Sequence, residues 1–95
     1  MNIFVDIDDT ICFYESKVKD LNYNNAIPNF QRIQKINDLF EEGNKITYWT
    51  ARGSVTGIDW FEITKKQLET WHCKYHELRM GKPAYDLFID DKNIN

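Results

Sequence analysis

Apolar residues fall in blocks along this chain, and their spacing alternates between strand-like and helix-like. Residues 2–7 form a compact apolar run that ends in carboxylates and predicts a buried strand. Residues 11–27 are polar, Asn-rich around Tyr23, Asn24 and Asn25, and without a clear period, which predicts an irregular or hairpin excursion. Pro28 stands where a first helical turn would begin. Phe30, Ile33, Ile36, Leu39 and Phe40 then recur at helical spacing until Gly43 supplies a stop. Lys45 to Trp49 is a second strand that ends at Thr50, and the two glycines between Ala51 and Gly57 mark a loop. Asp59 followed by Glu62 has the spacing of a capping box, so a helix is predicted from about Trp60 to Trp71. Tyr75 to Met80 is a third strand, Gly81-Lys82-Pro83 a turn, and Tyr85 to Ile89 a fourth strand that ends at Asp90-Asp91.

Strand, helix, strand, helix, strand, strand is the order of an α/β domain of minimal, Rossmann-like, three-layer form with a mainly parallel central sheet. Right-handed crossovers place the helices on the sheet faces. At 95 residues there is room for one domain, spanning 1–95. In such sheets ligands gather at the carboxyl ends of the strands. The polar residues that stand out here all fall at strand ends.

Composition narrows the function classes. A net charge of −3 leaves no basic stripe to neutralise phosphates, which argues against a nucleic-acid partner. That charge also hides a concentration of acid at Asp6, Asp8, Asp9, Asp90 and Asp91, groups that would repel one another unless a cation joined them. Cys12 and Cys73 are too few for a disulfide framework and read as buried, reduced thiols. The amino-terminal apolar run is too short for a signal peptide, and no stretch approaches the roughly 20 apolar residues of a membrane span. A cytoplasmic protein without a membrane partner is expected.

Taken in order, the first strand end offers Asp6, Asp8, Asp9 and Thr10, and the second offers Thr50, Ala51 and Arg52. Lys82 precedes the last strand, which ends in Asp90 and Asp91. Together these are carboxylates for a hard cation such as Mg²⁺, a hydroxyl and backbone N–H groups for an oxyanion, and an ammonium. Phosphoryl transfer asks for that set: a nucleophile, charge neutralisation and positioning.

The stretch Phe4-Val5-Asp6-Ile7-Asp8-Asp9-Thr10 resembles the D-x-D-x-T first motif of haloacid-dehalogenase (HAD-like) phosphatases. Tyr48-Trp49-Thr50 is similar to their second motif, Lys82 to the third, and Phe88-Ile89-Asp90-Asp91 to the fourth. The four occur in order from residue 4 to residue 91. The resemblance implies a Mg²⁺-dependent phosphatase that hydrolyses a phosphate monoester through an aspartyl-phosphate on Asp6. Asp8 would protonate the leaving oxygen and then activate water. Thr50, Ala51 and Arg52 would hold the phosphoryl group, and Lys82 would offset charge and orient Asp6. Asp6, Asp8 (through its main-chain carbonyl), Asp90 and Asp91 would hold Mg²⁺, with Asp91 favoured over Asp90 as a direct ligand. The Thr-Ala-Arg-Gly and Gly-Lys-Pro-Ala-x-Asp-x-x-Ile-Asp-Asp stretches resemble small capless members associated with sugar metabolism, which favours a sugar phosphate. Residues 11–27 are too few for a cap domain, so the site should be open unless a neighbouring subunit covers it. Family members with ATPase or dehalogenase chemistry usually lack an acid at the position of Asp8.

Each residue also has a plainer reading. Asp8-Asp9-Thr10 caps turns readily, Thr50 is an ordinary strand-end residue, and Lys82 is explicable as a surface lysine. Arg52 has two readings, substrate binding or a surface salt bridge. His72 and His76 flank Cys73 but should not share a helical face, since the helix ends near Trp71. Trp60 and Trp71 belong to a core or an interface, and alternation turns Trp49 to the sheet face opposite Thr50. A phospho-accepting receiver-like domain would need a lone Asp at a mid-chain strand end, which is missing. A metal-dependent nuclease would need mid-chain carboxylates, and Asp59, Glu62 and Glu69 are better explained by capping and exposure. A non-catalytic relative that binds partners is the remaining rival, although every residue expected to act is present. A four-stranded parallel sheet in so short a chain also leaves a role for a homo-oligomeric partner.

Overall fold

A computed structural model describes residues 1–15, 22–54 and 57–82. The expected fourth strand, Tyr85 to Ile89, and the acids Asp90 and Asp91 lie outside the described residues. The elements run β1 (Asn2–Val5), β2 (Cys12–Phe13), a 3₁₀ turn (Tyr23–Asn25), β3 (Ile27–Pro28), α1 (Phe30–Glu41), β4 (Lys45–Trp49), α2 (Phe61–Thr70) and β5 (Glu77–Arg79).

Strands β1, β4 and β5 form a parallel three-stranded sheet in the order β1-β4-β5. Ile3 pairs with Ile46, Val5 with Tyr48, and Tyr48 with Leu78. Because side chains alternate along a strand, that register gathers Ile3, Val5, Ile46, Tyr48 and Leu78 on one face. Ile33 from α1, Leu68 from α2 and Trp71 at its C-cap join the buried cluster together with Ile7, Ile11 and Cys12, with Ile36, Leu39 and Phe40 packed against it. Among the described residues both helices pack on one side of the sheet. The reason is topological, since β1→β4→β5 steps across the sheet in one direction and two right-handed crossovers then fall on the same face. The other face carries Phe4, edge-on to Trp49 at 5.8 Å, with the Arg79 guanidinium over the Phe4 ring.

Local chemistry moved several expected boundaries. Pro28 does not open α1. It pairs with Cys12 in the short antiparallel β2–β3 ribbon, where its missing N–H costs little. Asn29 is the cap instead, its side chain accepting from the Arg32 N–H. At the other end Gly43 adopts φ +97°, with Gly43 N–H donating to Phe40 O and Asn44 N–H to Leu39 O, the paired bonds of a Schellman stop. Asp59 lies one residue outside the expected capping box: Trp60 is the cap, and Asp59 accepts from Phe61 N–H. α2 ends in a second Schellman arrangement with His72 at φ +59°, clamped by Asn37, which donates to His72 O and accepts from Lys74 N–H. Within the described residues no helix is long and apolar enough to cross a membrane.

Candidate active site

The carboxyl ends of β1, β4 and β5 bring together three of the residues singled out from the sequence. Asp6 follows β1 directly. Its Oδ1 accepts from the Ile7 N–H at 2.9 Å, and its Oδ2 lies 3.4 Å from Lys82 Nζ. Its side chain keeps 37% of its exposure, so the carboxylate can be reached from solvent. Lys82 is held from both sides of its main chain: its N–H donates to Thr50 O, and its carbonyl accepts from the Ser54 hydroxyl. Thr50 is buried, its N–H donates to Arg79 O, and its hydroxyl accepts from the Arg52 N–H. Adjacency in the parallel sheet thus places one carboxylate, one hydroxyl and one ammonium at a common edge.

After Asp6 the chain turns tightly. Asp9 takes a left-handed φ of +64°, which Asp tolerates better than most side chains. Thr10 and Ile11 both donate to Ile7 O, while Asp9 donates to Cys12 O. Arg32 reaches from α1 to the carbonyls of Asp9 and Thr10 and ties this loop to the helix. The turn directs the Asp8 side chain into a polar cluster with Cys12, Tyr14 and Arg52.

That cluster is built around Arg52, which is neither at the surface nor turned to solvent. Its side chain is fully buried and every guanidinium nitrogen is engaged. Nε donates to Asp8 Oδ2 at 3.1 Å and Nη2 to Asp8 Oδ1 at 2.9 Å, a bidentate pair. Nη1 donates to the Thr64 hydroxyl and to Gln67 Oε1, both on α2. The Tyr23 ring lies 4.7 Å from the guanidinium carbon, and Gln67 Nε2 in turn donates to Tyr23 O. Asp8 Oδ1 also accepts from the Tyr14 hydroxyl at 2.7 Å and from the Cys12 thiol at 3.5 Å. Burial works against the charge on Arg52, but the hydrogen bonds and charge of Asp8 prevail and hold its pKa above the ordinary value. Burial, followed by the Asp8 carboxylate, pushes the Cys12 thiol up to about 12 and the Tyr14 hydroxyl further still. Both groups are therefore donors at neutral pH.

Of the remaining site expectations, Ala51 is half-buried between Thr50 and Arg52. Asp90 and Asp91 fall outside the described residues, and among those described no group of three or more His, Cys, Asp or Glu is gathered for a metal. The oxygen donors of Asp6 and the adjacent main chain suit a hard cation, which needs one or two carboxylates with water and substrate making up the rest. His76 accepts from the Ile46 N–H through Nδ1 and stacks on Phe40 at 4.7 Å, so its role is to join β4 to α1. The sequence reading missed Tyr14, Thr64, Gln67 and Tyr23. A signal was there: Thr64, Gln67 and Leu68 share one face of α2, continued by Trp71 at its C-cap, and two polar residues on an otherwise apolar face call for a buried partner.

A scan against protein families finds no match, and a search of the curated proteins finds none either. Among solved structures the chain is similar to the crystal structure of a target protein from Vibrio cholerae, with 27% identity and a TM-score of 0.79 over 95% of this chain and 79% of that one. The chain is thus a small α/β protein with a parallel sheet, and it shares its architecture with that bacterial protein.

Proposed function

We propose that this protein is a Mg²⁺-dependent phosphatase of the haloacid-dehalogenase type, acting on a phosphate monoester through an aspartyl-phosphate at Asp6. The observation that carries the reading is the convergence of Asp6, Thr50 and Lys82 at adjacent strand ends, with Lys82 Nζ 3.4 Å from Asp6 Oδ2. A carboxylate that keeps solvent access beside an ammonium is equipped to attack a phosphorus whose charge is being offset. The four ordered motifs support the same reading from sequence.

In this mechanism an Asp6 oxygen attacks phosphorus while Lys82 holds the carboxylate in line and offsets negative charge. Thr50 and the Ala51 N–H would receive the phosphoryl oxygens. Asp8 would give a proton to the leaving oxygen and then take one from the water that hydrolyses the acyl-phosphate. The Asp6 carboxylate and Asp8 main-chain carbonyl, with Asp90 and Asp91 by resemblance, would hold Mg²⁺, which when bound supplies further charge neutralisation. A sugar phosphate is the favoured substrate class, on the narrower resemblance of the Thr-Ala-Arg-Gly stretch.

The test is hydrolysis of para-nitrophenyl phosphate with Mg²⁺, with EDTA, and by Asp6→Asn. Turnover lost in both controls is the expected result. A folded protein that neither turns over the substrate nor traps BeF₃⁻ on Asp6 would overturn the reading.

A further inference from the structure

We infer that Arg52 is a positioning residue: with Tyr14 it fixes the Asp8 carboxylate for the water-activating half of the reaction, and it does not bind the substrate phosphate. The inference rests on the phosphatase reading above and assigns a role within it. A phosphate-binding arginine must present nitrogens to the ligand. Here Nε, Nη1 and Nη2 are all taken by protein acceptors, and the side chain has no exposed surface. Freeing it would break a bidentate ion pair and two further hydrogen bonds inside the protein.

The same contacts fix the orientation in which Asp8 would meet the water. Its side chain keeps 23% of its exposure, so Asp8 is not sealed from solvent as Arg52 is. Among the described residues Oδ1 accepts from Arg52, Tyr14 and Cys12, whereas Oδ2 accepts from Arg52 alone. Oδ2 is therefore the oxygen with a lone pair to spare. In the second half-reaction, water oxygen bonds to phosphorus and the P–O bond to Asp6 breaks, its electron pair returning to the Asp6 carboxylate. The water proton passes to Asp8 Oδ2, and inorganic phosphate leaves. A carboxylate clamped by a rigid guanidinium fork meets that water in one orientation, and Thr64, Gln67 and the Tyr23 ring keep the fork itself in place.

Para-nitrophenyl phosphate separates the two roles, because its weakly basic leaving group departs without a proton. Wild type, Arg52→Lys and Tyr14→Phe are compared by rapid-mix kinetics, with folding checked by thermal melts. If Arg52 positions Asp8, phosphorylation of Asp6 survives and its hydrolysis slows. Arg52→Lys then shows a burst of about one nitrophenolate per active site, followed by a steady rate down on the order of 10–100-fold. That is less than the ~10²–10⁴-fold expected for losing the base itself. KM falls together with kcat, since the slow step now follows phosphorylation. Tyr14→Phe, which leaves the ion pair in place, shows the same pattern more weakly, and it decides the matter should Arg52→Lys not fold. A raised KM with kcat preserved and no burst in Arg52→Lys would overturn the inference, as would a folded Tyr14→Phe with wild-type kinetics where Arg52→Lys does not fold. The phosphatase reading is judged separately by the wild type, whose Asp6-dependent turnover must be established first; without it both fall.

Discussion

Replacing Asp8 with Asn should destabilise the protein far more than a substitution at a partly exposed carboxylate ordinarily does. The change is nearly isosteric, so it opens no cavity, and its cost is electrostatic. Arg52 has no exposed side-chain surface, and two of its nitrogens are held by Asp8. Removing one partner of a buried ion pair typically costs about 3–5 kcal/mol, because the other charge is left without compensation. Two features lower that figure here: Asp8 is 23% exposed, so part of its charge is already screened, and Thr64 and Gln67 still hold Nη1. The asparagine oxygen can accept one guanidinium N–H, but its amide then faces a second N–H donor to donor. A loss of about 2–4 kcal/mol remains, a large share of the roughly 5–14 kcal/mol expected for a domain of this length. In a thermal melt it corresponds to a fall of about 10–30 °C. Urea unfolding followed by circular dichroism measures it, in EDTA so that linkage to bound cation does not enter. A cycle with Arg52→Met isolates the pair: the double variant should recover part of the loss, with a coupling energy of about 2 kcal/mol. If Asp8→Asn lies within 1 kcal/mol of wild type, or the cycle gives less than about 0.5 kcal/mol, the buried-pair account is wrong. The outcome also bears on activity assays, since an inactive Asp8 variant is evidence about catalysis only at a temperature where it is folded.

Four further predictions follow from the same packing. Gly53→Ala should cost about 2–4 kcal/mol in urea unfolding, because its φ is +78° and a Cβ would sit 2.1 Å from the Ile58 carbonyl oxygen, whereas Gly43→Ala, at φ +97° with open space, should cost only about 1 kcal/mol. His72→Gly should stabilise by about 0.5–1 kcal/mol, since it relieves a left-handed residue at a helix stop; a loss would mean that its side chain makes a favourable contact. Tyr48→Phe should be neutral or mildly stabilising in the same measurement, because the hydroxyl is buried with no hydrogen bond of ordinary geometry and the neighbouring Cys73 thiol is a weak acceptor. Burial, and for Cys12 also the Asp8 carboxylate, pushes the Cys12 and Cys73 thiols up to about 12 and about 11. The folded state therefore holds these protons more tightly than the unfolded chain does. Stability from this source is complete below about pH 9 and falls as pH rises towards 11 and 12, by up to about 1.4 kcal/mol per unit for each thiol. Neither thiol should react with a disulfide reagent at pH 8 in the native protein, and both should in denaturant; fast native reaction would show that the thiols are more accessible than their packing indicates.

The strands of the parallel sheet and the two α-helices were legible in the chain because their signals are local. Apolar alternation in Lys45–Trp49, helical recurrence from Phe30 to Phe40 and the glycine stop at Gly43 each depend on neighbours a few positions away. The placement of Asp6 and Thr50 at strand ends, and of Lys82 in the turn before the expected last strand, needs only the order of elements and the rule that sites gather at the carboxyl edge of a parallel sheet. The structure changed what depends on distant partners. Whether Pro28 opens a helix or pairs in a ribbon was decided by Cys12, sixteen positions earlier, and by the better capping chemistry of Asn29. Whether Arg52 faces solvent or the interior was decided by Asp8, Thr64 and Gln67, which meet it only after β1, β4 and α2 have packed. Residue types establish that a guanidinium is present, but how many of its five N–H groups remain for a ligand is a matter of tertiary geometry. For this protein that geometry separates a carboxylate paired with Lys82 at the sheet edge, Asp6, from one clamped by a buried guanidinium, Asp8, two residues apart in the same motif.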